Sequence, residues 1–176
     1  MFHVTTHGVD ETTICRIDAD YRRFVRLLTP LIERARWRCF GLCVMSTHYH
    51  LLVESKASDL ADGMETLNGR YARLFNRDHG RRGHLFGARY DSKPIETEEH
   101  FSEAIRYVAL NPVRAGARSR PEQWPWATYR ALVGLDPAPE FFDVESVLRR
   151  FASTPDAARR AIREFVDGAL EVDTSE

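Results

Sequence analysis

Cysteine is scarce in this chain of 176 residues: it occurs only at Cys15, Cys39 and Cys43, with no Cys-x-x-Cys pair. An odd number of cysteines without paired spacing argues against a disulfide scaffold and fits a reducing compartment. No run of about 18 apolar residues occurs, so we expect no membrane-spanning helix and no membrane partner. The first residues also lack the charged start and apolar core of a secretory signal. Together these absences predict a cytoplasmic protein.

Net charge is also small, at −1, but its distribution is uneven. Between Gly69 and Lys93, seven basic residues stand against two acidic ones, whereas residues 139–176 hold nine acidic residues against five arginines. A basic middle and an acidic tail suggest a local site for a polyanion. On charge alone, however, a solvated arginine-rich helix face is the better interpretation.

Hydrophobic periodicity predicts the order β-α-β-β-α-β-α, which is typical of an α+β domain with an antiparallel sheet backed by helices. The predicted strands cover residues 2–8, 38–46, 48–55 and 84–96, the middle two forming a hairpin or one bent unit. The predicted helices cover residues 18–37, 60–80 and 97–112, followed by helical additions over 141–151 and 154–171. Asp18 or Asp20 is available to cap the first helix, and Pro30 predicts a kink or break in it. Thr97 is expected to cap the third helix and Pro112 to stop it.

Two histidines, His48 and His50, lie in the apolar run "VMSTHYHLLVE". Alternate residues of a strand face the same side, so both imidazoles project together while Tyr49 faces the other side. Such a pair can chelate a divalent cation, provided that a third ligand arrives from elsewhere. On its own this spacing is a weak signal, because paired histidines in strands are more often surface or packed residues.

The predicted third helix carries a second set of candidates. Tyr107 and Asn111 are four residues apart and therefore lie one above the other, beside the core stripe. That stripe comprises Phe101, Ala104, Ile105 and Val108. A phenol and an amide oxygen one turn apart can serve one metal centre, as nucleophile and ligand. The alternative makes Tyr107 a half-buried packing residue and Asn111 a C-cap before Pro112.

Four segments, "FHVTTHG", "HYHLLVE", "GHLFGARYDS" and "RYVALNPVRAG", occur in this order. Their combination resembles the REP-associated tyrosine transposases, bacterial relatives of the small insertion-sequence transposases of the HUH single-tyrosine superfamily. The resemblance runs from Phe2 to about Gly134, and the later helices are similar to the family's tail. It implies a ferredoxin-like or RRM-like HUH fold, with a catalytic domain over residues 1–134 and a C-terminal helical extension over 135–176.

The resemblance also implies roles for the candidate residues. His48, His50 and Asn111 would bind Mg²⁺ or Mn²⁺, and Tyr107 would be the nucleophile. The implied reaction is cleavage of single-stranded DNA through a 5′-phosphotyrosine link, with strand transfer on reversal. The protein would be either an active transposase or a domesticated, host-serving descendant.

Single-stranded or hairpin DNA with palindromic repeats is the implied partner. The protein would be nucleoid-associated when bound, as a monomer or a homodimer. Basic residues are the candidate phosphate contacts: Arg70, Arg73, Arg77, Arg81, Arg82, Arg89, Lys93 and Arg114. We expect the 70–93 segment to supply most of the positive surface around the histidine site, and the acidic tail to lie elsewhere.

Two other functions remain open at this level. One is a catalytically idle protein that binds single-stranded or hairpin DNA on the same fold. The other is a structural zinc site formed by His48, His50 and a cysteine. Cys43 is the nearest cysteine, but in one continuous strand its odd offset from both histidines would place it on the opposite face.

Overall fold

The computed structural model describes residues 1–87 and 89–173, and the side chains of these as far as residue 170. Four strands form one antiparallel sheet in the order β2-β3-β1-β4. The strands are β1 (Phe2–His7), β2 (Arg38–Val44), β3 (His48–Glu54) and β4 (Asp91–Pro94). β2 and β3 are adjacent and antiparallel, so the hairpin alternative is correct.

Three long helices alternate with these strands, and three more follow. They are α1 (Asp18–Arg34), α2 (Ala57–Asp78), α3 (Glu98–Arg114), α4 (Tyr129–Leu132), α5 (Val144–Phe151) and α6 (Pro155–Asp173). The expected α+β architecture is confirmed: β1 to β4 with α1 and α2 form the β-α-β-β-α-β unit of ferredoxin-like folds. Within the described residues, no helix is both long and apolar enough to span a bilayer.

The two faces of the sheet are covered by different helices. On one face, the Phe24 ring of α1 packs 4.5 Å from the Tyr49 ring of β3. The Tyr49 hydroxyl donates to Asn68 Oδ1 of α2 at 2.6 Å. On the other face, Phe101 of α3 lies edge-on to Phe40 of β2 at 5.9 Å. Alternation along β3 therefore directs Tyr49 toward α1 and α2, and its neighbouring histidines toward α3.

The helices after residue 134 share the core of the sheet domain. Val147 and Ile162 are fully buried within the same hydrophobic cluster as the strands. The Arg150 guanidinium lies 4.5 Å from the Phe101 ring centroid, and that of Arg106 lies 4.4 Å from the Phe165 ring. These contacts fix α5 and α6 against α3, the helix that carries the predicted nucleophile.

Neither helix-breaking proline ends its helix, so the break considered at Pro30 and the stop expected at Pro112 were wrong. Pro30 is exposed inside α1, and buried neighbours such as Leu28 and Ile32 hold the helical path by their packing. Pro112 lies inside α3, which continues to Arg114 and closes with the Ala115 amide donating to the Asn111 carbonyl at 3.0 Å. Proline lacks an amide hydrogen, but tertiary packing outweighs the loss of one bond.

Two other local expectations were corrected. The strand predicted over 84–96 is regular only at Asp91–Pro94, with an isolated bridge between Phe86 and Gly8; residue 88 of that prediction lies outside the described residues. Gly87 and the polar residues of this segment favour a loop, and only its last part pairs with β1. The first helix has Ile17 at its N-cap, and Asp20 accepts the Ile17 amide from the third helical position. Thr97 caps α3 as expected, accepting from the His100 amide at 3.1 Å.

Candidate active site

Strand β3 presents His48 and His50 side by side toward α3. Their ring centroids lie 5.0 Å apart, with the planes nearly perpendicular. Tyr49, between them in sequence, is fully buried on the opposite face. The alternation that follows from strand geometry is thus confirmed for this pair.

The Asn111 amide joins the two imidazoles. Its Nδ2 donates to His50 Nε2 at 2.8 Å, and its Oδ1 accepts from His48 Nε2 at 3.0 Å. Asn111 is 7% exposed and lies within α3, so its interpretation as a C-cap was wrong. Because α3 continues past Pro112, Asn111 faces the sheet instead of ending the helix.

Tyr107 lies one helical turn before Asn111, at the open side of the same group. Its side chain is 41% exposed, and its ring stands edge-on to the His50 ring at 5.3 Å. The Arg114 guanidinium lies 5.1 Å from the Tyr107 ring centroid. The Tyr107 phenol, beside the Arg114 guanidinium and two imidazoles, is exposed and therefore accessible to a substrate from solvent. A half-buried packing residue would not be accessible in this way.

Strand β1 contributes three side chains that the sequence interpretation did not assign to the site. His3, Thr5 and His7 alternate along β1, so they share the face that carries His48 and His50. The His7 ring stacks on the His48 ring at 4.9 Å, and the His3 ring lies 5.5 Å from the Tyr107 ring. The period-two spacing in "FHVTTHG" was a usable signal, but only the pairing of β1 with β3 shows that it matters.

Burial keeps the imidazoles of His50, His3 and His48 neutral. Desolvation lowers the pKa of His50 to about 2, helped by the neighbouring His3 and His48. Desolvation also lowers the pKa of His3 to about 4, with Lys93 adding to the effect. The pKa of His48 is lowered by burial as well, against the opposing effect of its hydrogen bond to Asn111. Neutral imidazoles are the form that binds metal ions.

These residues line a cleft of about 760 Å³ between β1, β3, β4 and α3. We call it the histidine cleft. Its charged lining combines three basic and two acidic side chains, namely Lys93, Arg106, Arg114, Asp91 and Glu103. Glu103 is paired with Arg106 at 2.5 Å, whereas Lys93 and Arg114 have no described ion pair.

Most of the predicted phosphate contacts lie away from the histidine cleft. Lys93 and Arg114 line it, but Arg70 lines a different cleft beside Asp59 and Asp62. The 70–93 segment was expected to supply most of the positive surface around the histidine site. Of its predicted contacts only Lys93 lines the histidine cleft, so this prediction was wrong. Sequence periodicity shows which side of α2 is polar, but α2 covers the face of the sheet opposite to the histidines.

A second cleft, of about 870 Å³, takes two of the remaining arginines. Arg73 and Arg89 line it, together with polar and aromatic side chains that include Asn68, Asn76, His84 and Tyr90. We call it the arginine cleft. The last three predicted contacts line neither cleft: Arg77 pairs with Asp78 at 2.8 Å, Arg81 donates to Asn76 at 3.3 Å, and Arg82 is exposed.

Strand β4 and the residue before it separate the two clefts. Asp91 and Lys93 line the histidine cleft, whereas Tyr90 and Ser92 line the arginine cleft. This is the alternation expected of an extended segment. A strand of DNA that crosses the β4 edge can therefore contact both clefts.

The zinc alternative finds no support in the described residues. Among them, no three His, Cys, Asp or Glu side chains are grouped so as to hold a metal ion. The argument against Cys43 from a continuous strand was wrong, because β2 and β3 form a hairpin in which Cys43 pairs with His50. Cys43 is nevertheless fully buried, its thiol lies 3.7 Å from Met45 Sδ, and burial raises its thiol pKa.

The acidic tail lies apart from the histidine cleft, as far as its residues are described. Several of its acidic side chains are paired: Asp143 with Arg38, Glu145 with Arg149, Asp156 with Arg159, and Asp167 with Arg120. None of the tail's described acidic residues lines the histidine cleft. No carboxylate from the described part of this segment therefore lies beside the cleft's basic side chains.

Comparison with known proteins supports the sequence-level resemblance. A solved structure of a REP-associated tyrosine transposase bound to a REP hairpin is similar in fold, with a TM-score of 0.63 and 16% identity over 81% of this chain and 87% of that one. No curated protein sequence matches the chain. The family model of IS200-like transposases matches residues 3–111, from the first strand to the amide that joins the histidines. The chain therefore belongs to the family of IS200-like transposases.

Proposed function

We propose that this protein cleaves and rejoins single-stranded DNA with Tyr107 as its nucleophile and a divalent cation bound by His48, His50 and Asn111. The observation that carries the proposal is the convergence of these three polar side chains, one turn from an exposed tyrosine. Family membership supplies the reaction class, transposition of DNA. The geometry supplies a nucleophile beside a group of neutral nitrogen and oxygen donors.

The donor set suits Mg²⁺ or Mn²⁺. Two imidazoles and an amide oxygen leave coordination positions free for phosphate oxygens and water. The polar atoms of Asn111 lie 2.8 and 3.0 Å from the two Nε2 atoms. Of these atoms, the Asn111 oxygen and the two Nε2 nitrogens would hold the cation. When bound, that cation would polarise the scissile phosphate and offset charge in the transition state.

The chemistry then follows from Tyr107. The phenol loses its proton to water and its oxygen forms a bond to phosphorus, as the bond from phosphorus to the departing 3′ oxygen breaks and that oxygen takes up a proton. The products are a 5′-phosphotyrosine and a free 3′-hydroxyl, and attack by another 3′-hydroxyl reverses the step. The covalent link conserves the phosphodiester bond energy, so rejoining needs no nucleotide cofactor. The Arg114 guanidinium, 5.1 Å from the Tyr107 ring centroid, would lie close to the phosphate under attack.

We further propose that DNA contacts both clefts across β4. The related solved structure holds a REP hairpin, which suggests a hairpin-bearing strand as the substrate class here. Lys93 and Arg114 would contact phosphates at the histidine cleft, and Arg73 and Arg89 at the arginine cleft. The remaining predicted contacts are Arg70, Arg77, Arg81 and Arg82, which would meet only DNA that extends around α2.

The test is formation of a covalent adduct. The protein is incubated with single-stranded DNA that carries a palindrome from the region beside its own gene, with Mn²⁺ or with EDTA, and resolved on a denaturing gel. We expect a shifted protein–DNA band with Mn²⁺ and none with EDTA. Binding without an adduct under either condition would favour the catalytically idle DNA-binding protein.

Salt dependence tests the placement of the phosphate contacts. Each lost phosphate contact lowers the slope of log affinity against log salt by about 0.7 for single strands, so Lys93→Gln combined with Arg114→Gln should lower it by about 1.4. Arg34→Gln is the matched control, because Arg34 lines neither cleft and donates to the Pro30 carbonyl. Fluorescence anisotropy with a labelled hairpin oligonucleotide measures both slopes, and an unchanged slope in the double variant would contradict these contacts.

A further inference from the structure

The inner nitrogen of the His50 ring has two partners on the neighbouring strand. Nδ1 lies 3.1 Å from His3 Nε2 and 3.1 Å from Thr5 Oγ1. Thr5 stands directly opposite His50 in the β1–β3 register, and His3, two residues before Thr5, lies on the same face. His50 is 3% exposed, so no bulk water competes for this nitrogen.

The outer nitrogen decides where the His50 proton lies. Asn111 Nδ2 donates to Nε2, so Nε2 carries a lone pair and no hydrogen. A neutral imidazole has one N–H, which is then on Nδ1. That N–H donates to His3 Nε2 and to Thr5 Oγ1, and His3 accepts with its own proton on Nδ1.

Asn111 constrains His48 in the opposite sense, because its oxygen only accepts and so holds the His48 hydrogen on Nε2. His48 Nδ1 lies 3.1 Å from Thr47 Oγ1, and a hydroxyl can donate or accept by rotating. Its Nε2 donates to the Asn111 oxygen in the observed arrangement. A cation at His48 Nε2 would need this hydrogen to move to Nδ1, where the Thr47 hydroxyl can accept it.

We propose that His3 and Thr5 are positioning residues that hold His50 in the tautomer whose Nε2 lone pair faces the proposed cation site. His3 also places an edge against Tyr107, with the rings 5.5 Å apart, so one side chain supports both the ligand and the nucleophile. The inference rests on the proposed function, because it assigns His50 a ligand's task. Outer partners of this kind typically change metal affinity by about 10- to 100-fold.

The first experiment measures Mn²⁺ binding to the DNA-free protein by the electron paramagnetic resonance signal of free Mn²⁺. We expect His3→Phe, which keeps a ring but removes the acceptor, to weaken binding about 10-fold. His3→Gln restores an acceptor and should recover most of the affinity. Thr5→Val removes the second acceptor and should also weaken Mn²⁺ binding. If His3→Phe fails to fold, Thr5→Val tests the proposal in its place. His84→Phe, outside the histidine cleft, is the matched control.

The outcomes separate the two proposals. If wild type binds Mn²⁺ and His50→Ala does not, but His3→Phe and Thr5→Val both bind like wild type, the positioning role is overturned and the metal site stands. If His50→Ala binds like wild type, both proposals fail.

A second readout does not involve metal. Nitrogen-15 NMR of the imidazoles should show the hydrogen of His50 on Nδ1 in wild type, and an increased Nε2–H population when His3→Phe and Thr5→Val are combined. An unchanged tautomer in that double variant would overturn the inference.

Discussion

Tyr107→Phe should abolish the covalent protein–DNA adduct while leaving affinity for hairpin DNA within about threefold of wild type. The substitution removes only the attacking oxygen. The phenyl ring can still contact Arg114 and the two flanking imidazoles, so the shape of the histidine cleft is kept. Adduct formation is read from a denaturing gel and affinity from anisotropy with the same oligonucleotide.

The matched control for this variant is Tyr21→Phe. Tyr21 is buried against Trp126, with the rings 4.9 Å apart, and lines neither cleft. This variant should form the adduct at the wild-type rate. Persistence of the adduct in Tyr107→Phe would identify another nucleophile, with Tyr90 of the arginine cleft the next tyrosine to replace.

His50→Ala should slow adduct formation by more than about 100-fold, since loss of even an outer partner of a metal ligand costs about 10- to 100-fold. DNA affinity should change little, because His50 is buried and the phosphate contacts proposed above come from basic side chains. The measurement is the initial rate of adduct formation over a series of Mn²⁺ concentrations. A wild-type rate at low Mn²⁺ would contradict the assignment of His50 as a ligand.

Asn111→Ala should act in the same direction but more mildly, because water can take the place of one oxygen ligand. Removing the amide also leaves both Nε2 atoms without their described partner. Circular dichroism melting of His50→Ala and Asn111→Ala separates this effect from unfolding, because lost hydrogen bonds at the buried His50 and the half-buried His48 can also lower stability.

The proposed catalytic residues could be predicted from the sequence because each half of the group follows a fixed period. Strand alternation places His48 and His50 on one face, and helical spacing places Tyr107 over Asn111. What sequence alone does not provide is that α3 packs on the same face of the sheet as the histidines. The resemblance to a known family supplied that link, and the fold confirms it.

The parts that were missed depend on longer-range geometry. His3 and Thr5 matter because β1 pairs with β3 in a register that no local pattern reveals. The arginines of α2 were misplaced because an amphipathic helix indicates which side is polar, but not which face of the sheet it covers. Pro112 was expected to end α3, but the helix runs on through this buried residue and the fold accommodates the lost backbone hydrogen bond.

Peptide mapping of the adduct tests the central claim most directly. After nuclease treatment of the trapped complex and digestion with trypsin, mass spectrometry should find the residual nucleotide on the peptide covering residues 107–114, with the phosphate on Tyr107. That result would support the assignment of the exposed phenol, the histidine pair and the Asn111 amide to one active site. A nucleotide on any other residue, or a noncovalent complex that yields no modified peptide in the presence of Mn²⁺, would contradict it.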